Sequence, residues 1–183
     1  MYSIAIDEKD YFAPSSMSEV TITRFNQFLT ASKQWESADV EVQRVREIMF
    51  WYEIEADVAN RIEEDTVYAL HSMVSEVLSE ENVQETPSKA HSFEYKGQWW
   101  ALKMNVRILG KSDLEIPNVF GYIVENVNGG RRRDKGYWDE MKMDDVIILC
   151  RQFEVRSNAA VAMVGKVIRD KIIGGKKRSY KWL

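Results

Sequence analysis

The period of the hydrophobic pattern changes across one polar stretch, and that change narrows the folds open to this chain. Before the stretch, apolar residues recur at helical spacing. Phe25, Phe28 and Leu29 fall at i, i+3 and i+4. Val42, Val45, Ile48, Met49 and Tyr52 form one face of a second helix, with Asp39 placed to cap it. Val67, Leu70, Val74, Val77 and Leu78 line one side of a third helix starting near Asp65. After the stretch the period drops to two. Phe93 and Tyr95 alternate ahead of Lys96-Gly97, and Trp99, Ala101 and Met104 lie in the extended run beyond. This predicts a β-hairpin with a short, glycine-containing turn. The polar run between them, residues 79–88, is the candidate linker.

The flanks complete the outline. Tyr2-Ser3-Ile4-Ala5-Ile6 predicts a first strand, residues 12–16 a turn, and Val20-Thr21-Ile22 either a return strand or the approach to a helix. Pro117 is placed to open a helix carrying Val119, Phe120, Ile123, Val124 and Val127, stopped by Gly129-Gly130. A further helix is expected from Met143 to about Phe153. A last one, capped by Ser157 or Asn158, carries Val161, Val164, Ile168 and Ile172 and ends at Gly174-Gly175. The expected fold is helix-rich α+β, with a small N-terminal strand–helix unit and a central β-hairpin. Clustered strands disfavour a parallel doubly wound sheet. Three regions follow: an acidic strand–helix and helical region (1–88), a hairpin plus helical region (89–175) that can share one domain with the first, and a basic aromatic tail (176–183).

Composition closes off several classes. The chain has 183 residues, 45% of them hydrophobic and 30% charged, enough for a substantial core and unlike a disordered segment. No apolar run approaches the ~20 residues of a membrane span. The opening residues lack the basic and apolar regions of a signal peptide, so the expected location is the cytoplasm or, on the resemblance below, a virion. Cys150 is the only cysteine, which excludes an intrachain disulfide and a cysteine zinc cluster.

The search for chemistry returns little. His71 and His91 have no His, Cys or paired carboxylate at ligand spacing, and both read as structural or surface residues. Cys150 follows Val146-Ile147-Ile148-Leu149 and reads as a buried, inert thiol. Glu63-Glu64-Asp65 and Asp144-Asp145 sit at expected helix starts, where carboxylates complement the dipole. Neither glycine pair belongs to a phosphate loop, and no nucleophile elbow occurs. The expectation is a protein with no catalytic residues, metal or cofactor.

Two features point to binding. Residues 1–90 carry 7 Lys+Arg against 18 Asp+Glu, and residues 91–183 carry 18 against 11. Opposite-sign faces attract identical subunits head to tail, and a basic surface also suits nucleic-acid phosphates. The bases concentrate in Arg131, Arg132 and Arg133 and in Lys176, Lys177, Arg178 and Lys181, close to Trp138, Tyr180 and Trp182. These ten residues are the expected partner-binding set, because Arg, Tyr and Trp are the usual anchors of interfaces. The second feature is tryptophan: six in the chain, with Trp99-Trp100 on opposite faces of one strand. Either the hairpin is covered on both sides or one ring awaits a partner.

Pro14-Ser15, then Ser18-Glu19-Val20-Thr21 and Arg24-Phe25, resemble the opening of small proteins of tailed bacteriophages that infect Bacteroidetes-type hosts. There a short strand and a Pro-Ser turn lead into a Glu-Leu-Thr helix start. The order that follows is similar over roughly residues 1–155: acidic helices, a strand pair like Phe93-Glu94-Tyr95-Lys96-Gly97-Gln98-Trp99, then helical segments. Val20 stands where Leu is usual, and Ser16-Met17 where an aromatic often follows. The resemblance implies a non-enzymatic virion or assembly role, at the neck, in the tail or as a chaperone of tail assembly, with other phage structural proteins as partners; the divided charge fits a protein present in multiple copies, and no membrane is expected. The alternative is a nucleic-acid-binding accessory protein using the basic loop and tail.

Overall fold

The computed structural model describes residues 1–79, 83, 92–103, 124–129 and 136–156. Strands β1 (Tyr2–Ile6) and β2 (Lys9–Ala13) form an antiparallel hairpin in the register Tyr2↔Ala13 to Ile6↔Lys9. Its turn is Asp7-Glu8, with φ of 51° and 62°. Positive φ at both central positions matches the strand twist but usually calls for Asn or Gly, so this turn carries no sequence signal. That is why the return strand lies earlier than residues 12–16 suggested. Alternation turns Tyr11 and Ala13 into the core and leaves Phe12 exposed.

A 3-10 turn (Met17–Glu19) leads to α1 (Ile22–Trp35). Glu19 folds back so that its Oε2 accepts from the Ser15 backbone N–H at 2.7 Å, and this bond holds the Glu19 carboxyl below its ordinary pKa. Helices α2 (Val40–Tyr52), α3 (Ala56–Ala59) and α4 (Glu64–Val77) follow. Phe28, Phe50 and Trp51 weld α1 to α2, with centroids 5.0–5.5 Å apart. Arg24 covers this cluster, with its guanidinium 4.4 Å from the Phe50 ring and bonded to the Phe50 carbonyl at 2.6 Å.

The α4 face is the one expected: Val67, Leu70, Val74, Val77 and Leu78 are all buried. The α2 face is rotated from the expected one. Ile48 and Tyr52 are buried as expected, but Trp51 joins them and Val42 is exposed, because burying one large aromatic outweighs burying one valine. Asp39 occupies the cap position of α2 without a side-chain capping bond. Between α2 and α4, buried Glu47 and His71 approach to 3.3 Å, an ion-pair distance without hydrogen-bond geometry at Oε2. His71 is thus part of the helix packing.

The second sheet is β3 (Ser92–Tyr95), β4 (Gln98–Leu102) and β5 (Val124–Asn126), antiparallel throughout. Lys96-Gly97 makes the expected tight turn, with φ of 49° and 69°. Strand β5 corrects the helix expected at 117–127. Its described part pairs with β4 through Leu102↔Val124, Ala101↔Glu125 and Trp100↔Asn126. Val124 faces in and Val127 out, a two-residue alternation that a helical count of the same valines conceals. The rest of that stretch, the helix expected beyond residue 157, and His91 lie outside the described residues. Helix α5 (Met143–Arg156) is where the sequence placed it, with Asp144 and Asp145 in its first turn and Cys150 buried.

The fold closes by a join between distant segments. The Ile22 N–H donates to the Met141 carbonyl and the Thr23 N–H to the Asp139 carbonyl, while the Met143 N–H donates to Val20 (2.9, 3.0 and 2.8 Å). A β-bridge links Thr21 to Lys142 between them. Val20, Ile22 and Met143 are essentially inaccessible there. One hydrophobic cluster runs from Tyr11 through the helices to Trp100, Val124 and Cys150. It includes Val83, from the polar stretch, whose carbonyl accepts from Arg151 at 3.0 Å.

Met143→Ala is expected to lower stability by about 2–5 kcal/mol, read from the urea midpoint at unchanged slope. A loss under about 1 kcal/mol would show that the join does not hold the halves together. Glu19 gives a pH test. Its lowered folded pKa means that its contribution is present above the unfolded pKa and disappears as pH falls through the folded one. Glu19→Gln should therefore lower the melting temperature at pH 7 and converge on the parent in strong acid. A constant difference across that range would contradict the role given to the carboxylate.

Candidate interaction surface

Strand alternation gives the β3–β4–β5 sheet two unlike faces. Phe93, Tyr95, Trp100, Leu102 and Val124 point inward. Packed on them is the turn that precedes α5, with Gly136 at φ 106° and Tyr137 and Trp138 following. The Trp138 ring lies 4.7 Å from Trp100 edge-on and 5.1 Å from Tyr95 in a stack, with Tyr137 edge-on at 4.9 Å. Such offset and edge arrangements suit aromatic quadrupoles and add to the area buried. The Tyr137 hydroxyl donates to the Tyr95 carbonyl at 3.3 Å. Burial pushes the Tyr95 hydroxyl pKa up. Outside, Lys96 closes on Glu140 at 2.9 Å, which holds the lysine up and the carboxylate down.

The outer face is different in kind. Trp99 is 50% exposed and Val127 53% exposed. They are direct neighbours across the strands: the Val127 N–H donates to the Trp99 carbonyl at 2.9 Å. Glu94 stands opposite Trp99 on the other side, and Glu125 opposite Ala101 one row along. This is a small apolar patch between two carboxylates on a sheet stiffened from behind by five aromatic rings. Exposed tryptophan is an effective interface anchor, since it offers a large contact area with only two side-chain torsions to order.

Of the ten residues expected to bind a partner, Trp138 is the one among the described residues, and the structure corrects its role. It is 2% exposed, inside the aromatic cluster, because Gly136 lets the chain fold back onto the sheet. Arg131, Arg132 and Arg133, and Lys176, Lys177, Arg178, Tyr180, Lys181 and Trp182, lie outside the described residues. Among the described tryptophans the most exposed is instead Trp99, so the hairpin does not bury both rings of the Trp99-Trp100 pair. Val127, expected on a helix face, stands beside Trp99 instead, because its neighbours pair as a strand.

The charge separation sharpens when placed on the structure. The described residues hold 11 Lys+Arg against 22 Asp+Glu, and the other 64 residues hold 14 against 7. Among the described residues no three His, Cys, Asp or Glu are grouped to hold a metal ion, and no helix is long and apolar enough to cross a membrane. No family model, curated protein or solved structure matches the chain.

The two tryptophans of β4 should respond oppositely to truncation. Trp100→Ala is expected to cost about 3–5 kcal/mol, and Trp99→Ala no more than about 1 kcal/mol, by chemical denaturation. Equal losses would mean that Trp99 is held in the fold and is no surface anchor.

Proposed function

We propose that this chain is a non-enzymatic structural or assembly protein of a tailed-bacteriophage virion, in the head–neck–tail apparatus, acting in multiple copies through protein–protein contacts. The observation that carries the contact reading is the Trp99–Val127 patch, apolar, exposed and backed by a packed aromatic layer. The charge separation supports association between copies. An acidic body joined to basic segments gives each copy two unlike surfaces, the requirement for head-to-tail closure into a ring. The phage assignment rests on the resemblance of residues 14–25. Those residues build the corner between β2 and α1: the Ser15–Glu19 bond, the 3-10 turn, and Thr21 capping α1 through the Arg24 N–H.

Light scattering on the size-exclusion eluate, at low and high salt, tests association. A discrete oligomer is expected that dissociates as salt screens the charges, and Trp99→Ala should shift it toward monomer at protein concentrations where the parent is assembled. A monomer under all conditions overturns self-association. The virion assignment predicts that the chain co-sediments with phage particles or their assembly intermediates on a density gradient, and its absence from both overturns that part.

Nucleic-acid binding is the second reading, favoured by the 14 bases outside the described residues, with Arg131, Arg132 and Arg133 among them. It predicts DNA or RNA binding whose salt slope falls when these arginines become alanine. The acidic body opposes it.

A further inference from the structure

A groove of about 450 Å³ opens between α2, α3 and the start of α4, on a part of the molecule that neither the aromatic layer nor the Trp99 patch uses. Its floor is apolar, made by Val45, Ala59, Ile62 and Val67. Its rim is mostly acidic, with Glu41 on α2 and Glu64 and Asp65 on α4. Among the described residues Arg44 is the one cation lining it, and its guanidinium lies 5.2 Å from the Tyr68 ring. The Arg44 Nε is buried without a hydrogen-bond partner, although Arg44 itself is only half-buried. A buried donor of this kind needs an acceptor. Tyr68, on the lip, is 46% exposed. The volume lies within the range of sites that enclose one or two side chains or a small ligand.

We infer that this groove is the receptor for the basic aromatic segment Lys176–Leu183 of a neighbouring copy. The inference rests on the multi-copy reading above and names a partner segment for it. Three features of the groove match three of the segment. Aromatic rings of Tyr180 or Trp182 suit the apolar floor. Lys176, Lys177, Arg178 and Lys181 suit three rim carboxylates on a body that is itself strongly acidic. A backbone carbonyl of an extended peptide is the neutral acceptor that the Arg44 Nε lacks, and it brings no second cation against the guanidinium. Glu64 and Asp65 also complement the α4 dipole, so the acids alone would indicate nothing. The match lies in floor, rim and orphaned donor together. A nucleic acid does not fit the rim, since its phosphates would meet three carboxylates.

The test is fluorescence anisotropy of a labelled peptide, Lys-Lys-Arg-Ser-Tyr-Lys-Trp-Leu. The receptor is the full-length chain with its own segment silenced by alanine at Lys176, Lys177, Arg178, Tyr180, Lys181 and Trp182. Saturable binding is expected, weakened at least tenfold when Glu41→Gln, Glu64→Gln and Asp65→Asn are combined in the receptor. A peptide carrying Tyr180→Ala and Trp182→Ala should lose a similar factor, and this arm does not depend on receptor folding. Trp99→Ala in the receptor should leave binding unchanged. No binding, binding indifferent to the groove substitutions, or binding abolished by Trp99→Ala would each overturn the inference. In a chain that still oligomerises, those results leave the multi-copy reading standing. A monomeric chain whose groove takes the peptide overturns the neighbouring-copy reading instead, and makes the groove the site of the chain's own tail.

Discussion

The first turn of α1 depends on carbonyl groups from more than a hundred residues along the chain. A helix begins with N–H groups that have no partner within it, and inside a protein each must find one. Here Arg24 is satisfied locally by the Thr21 side chain, but Ile22 and Thr23 take the carbonyls of Met141 and Asp139. The Thr23 hydroxyl adds a second bond to the Asp139 carbonyl at 3.0 Å. The same segment that caps α1 presents Trp138 to the second sheet and starts α5 at Met143. One short stretch therefore fixes helix entry, aromatic layer and final described helix together. Disturbing it leaves buried donors unpaired and opens the core at Val20, Ile22 and Met143.

That join explains why the two sheets, each too small to stand alone, are ordered. An isolated two-stranded hairpin is marginal in water, and three short strands need a packed face. The first hairpin gains its face from the helical layer, with Tyr11 and Ala13 buried there. The Tyr11 hydroxyl also donates to Glu55 at 3.3 Å, and Lys9 pairs with the same carboxylate. The second sheet gains its face from Tyr137 and Trp138. Because aromatic packing covers one face of that sheet, Trp99 and Val127 are left on the other. Trp99 acquires its meaning from Trp100.

Charge follows a similar division. The described residues carry twice as many acids as bases, and the basic excess lies in segments beyond them. Self-repulsion in an acidic body is modest at physiological salt, where charges beyond about 8 Å are screened. Close contact with a basic segment is not screened in that way. Such a distribution favours short-range capture of basic chain over long-range steering, which is the premise of the proposal made for the groove between α2 and α4.

Local pattern makes much of this legible in the sequence alone. The apolar stripe of α4, the start of α5 at Met143, the strand at Tyr2 and the Lys96-Gly97 turn all follow from periodicity and turn chemistry, because each is decided within a few residues. Tertiary structure decided the rest. Asp7-Glu8 turns sharply without the residues that announce such a turn, since the strands on either side have a helical layer to pack on. Val124 and Val127 satisfy a helical spacing and an alternating one equally well, and the partner strand β4 settled the matter. Whether Trp99 or Trp138 would face solvent could not be read from their side chains, which are identical. It was settled by which ring the turn at Gly136 folds over, a contact between segments far apart in sequence. Sequence determined that this chain has a core and divided charge; only packing determined which of the described aromatics close that core and which stay exposed.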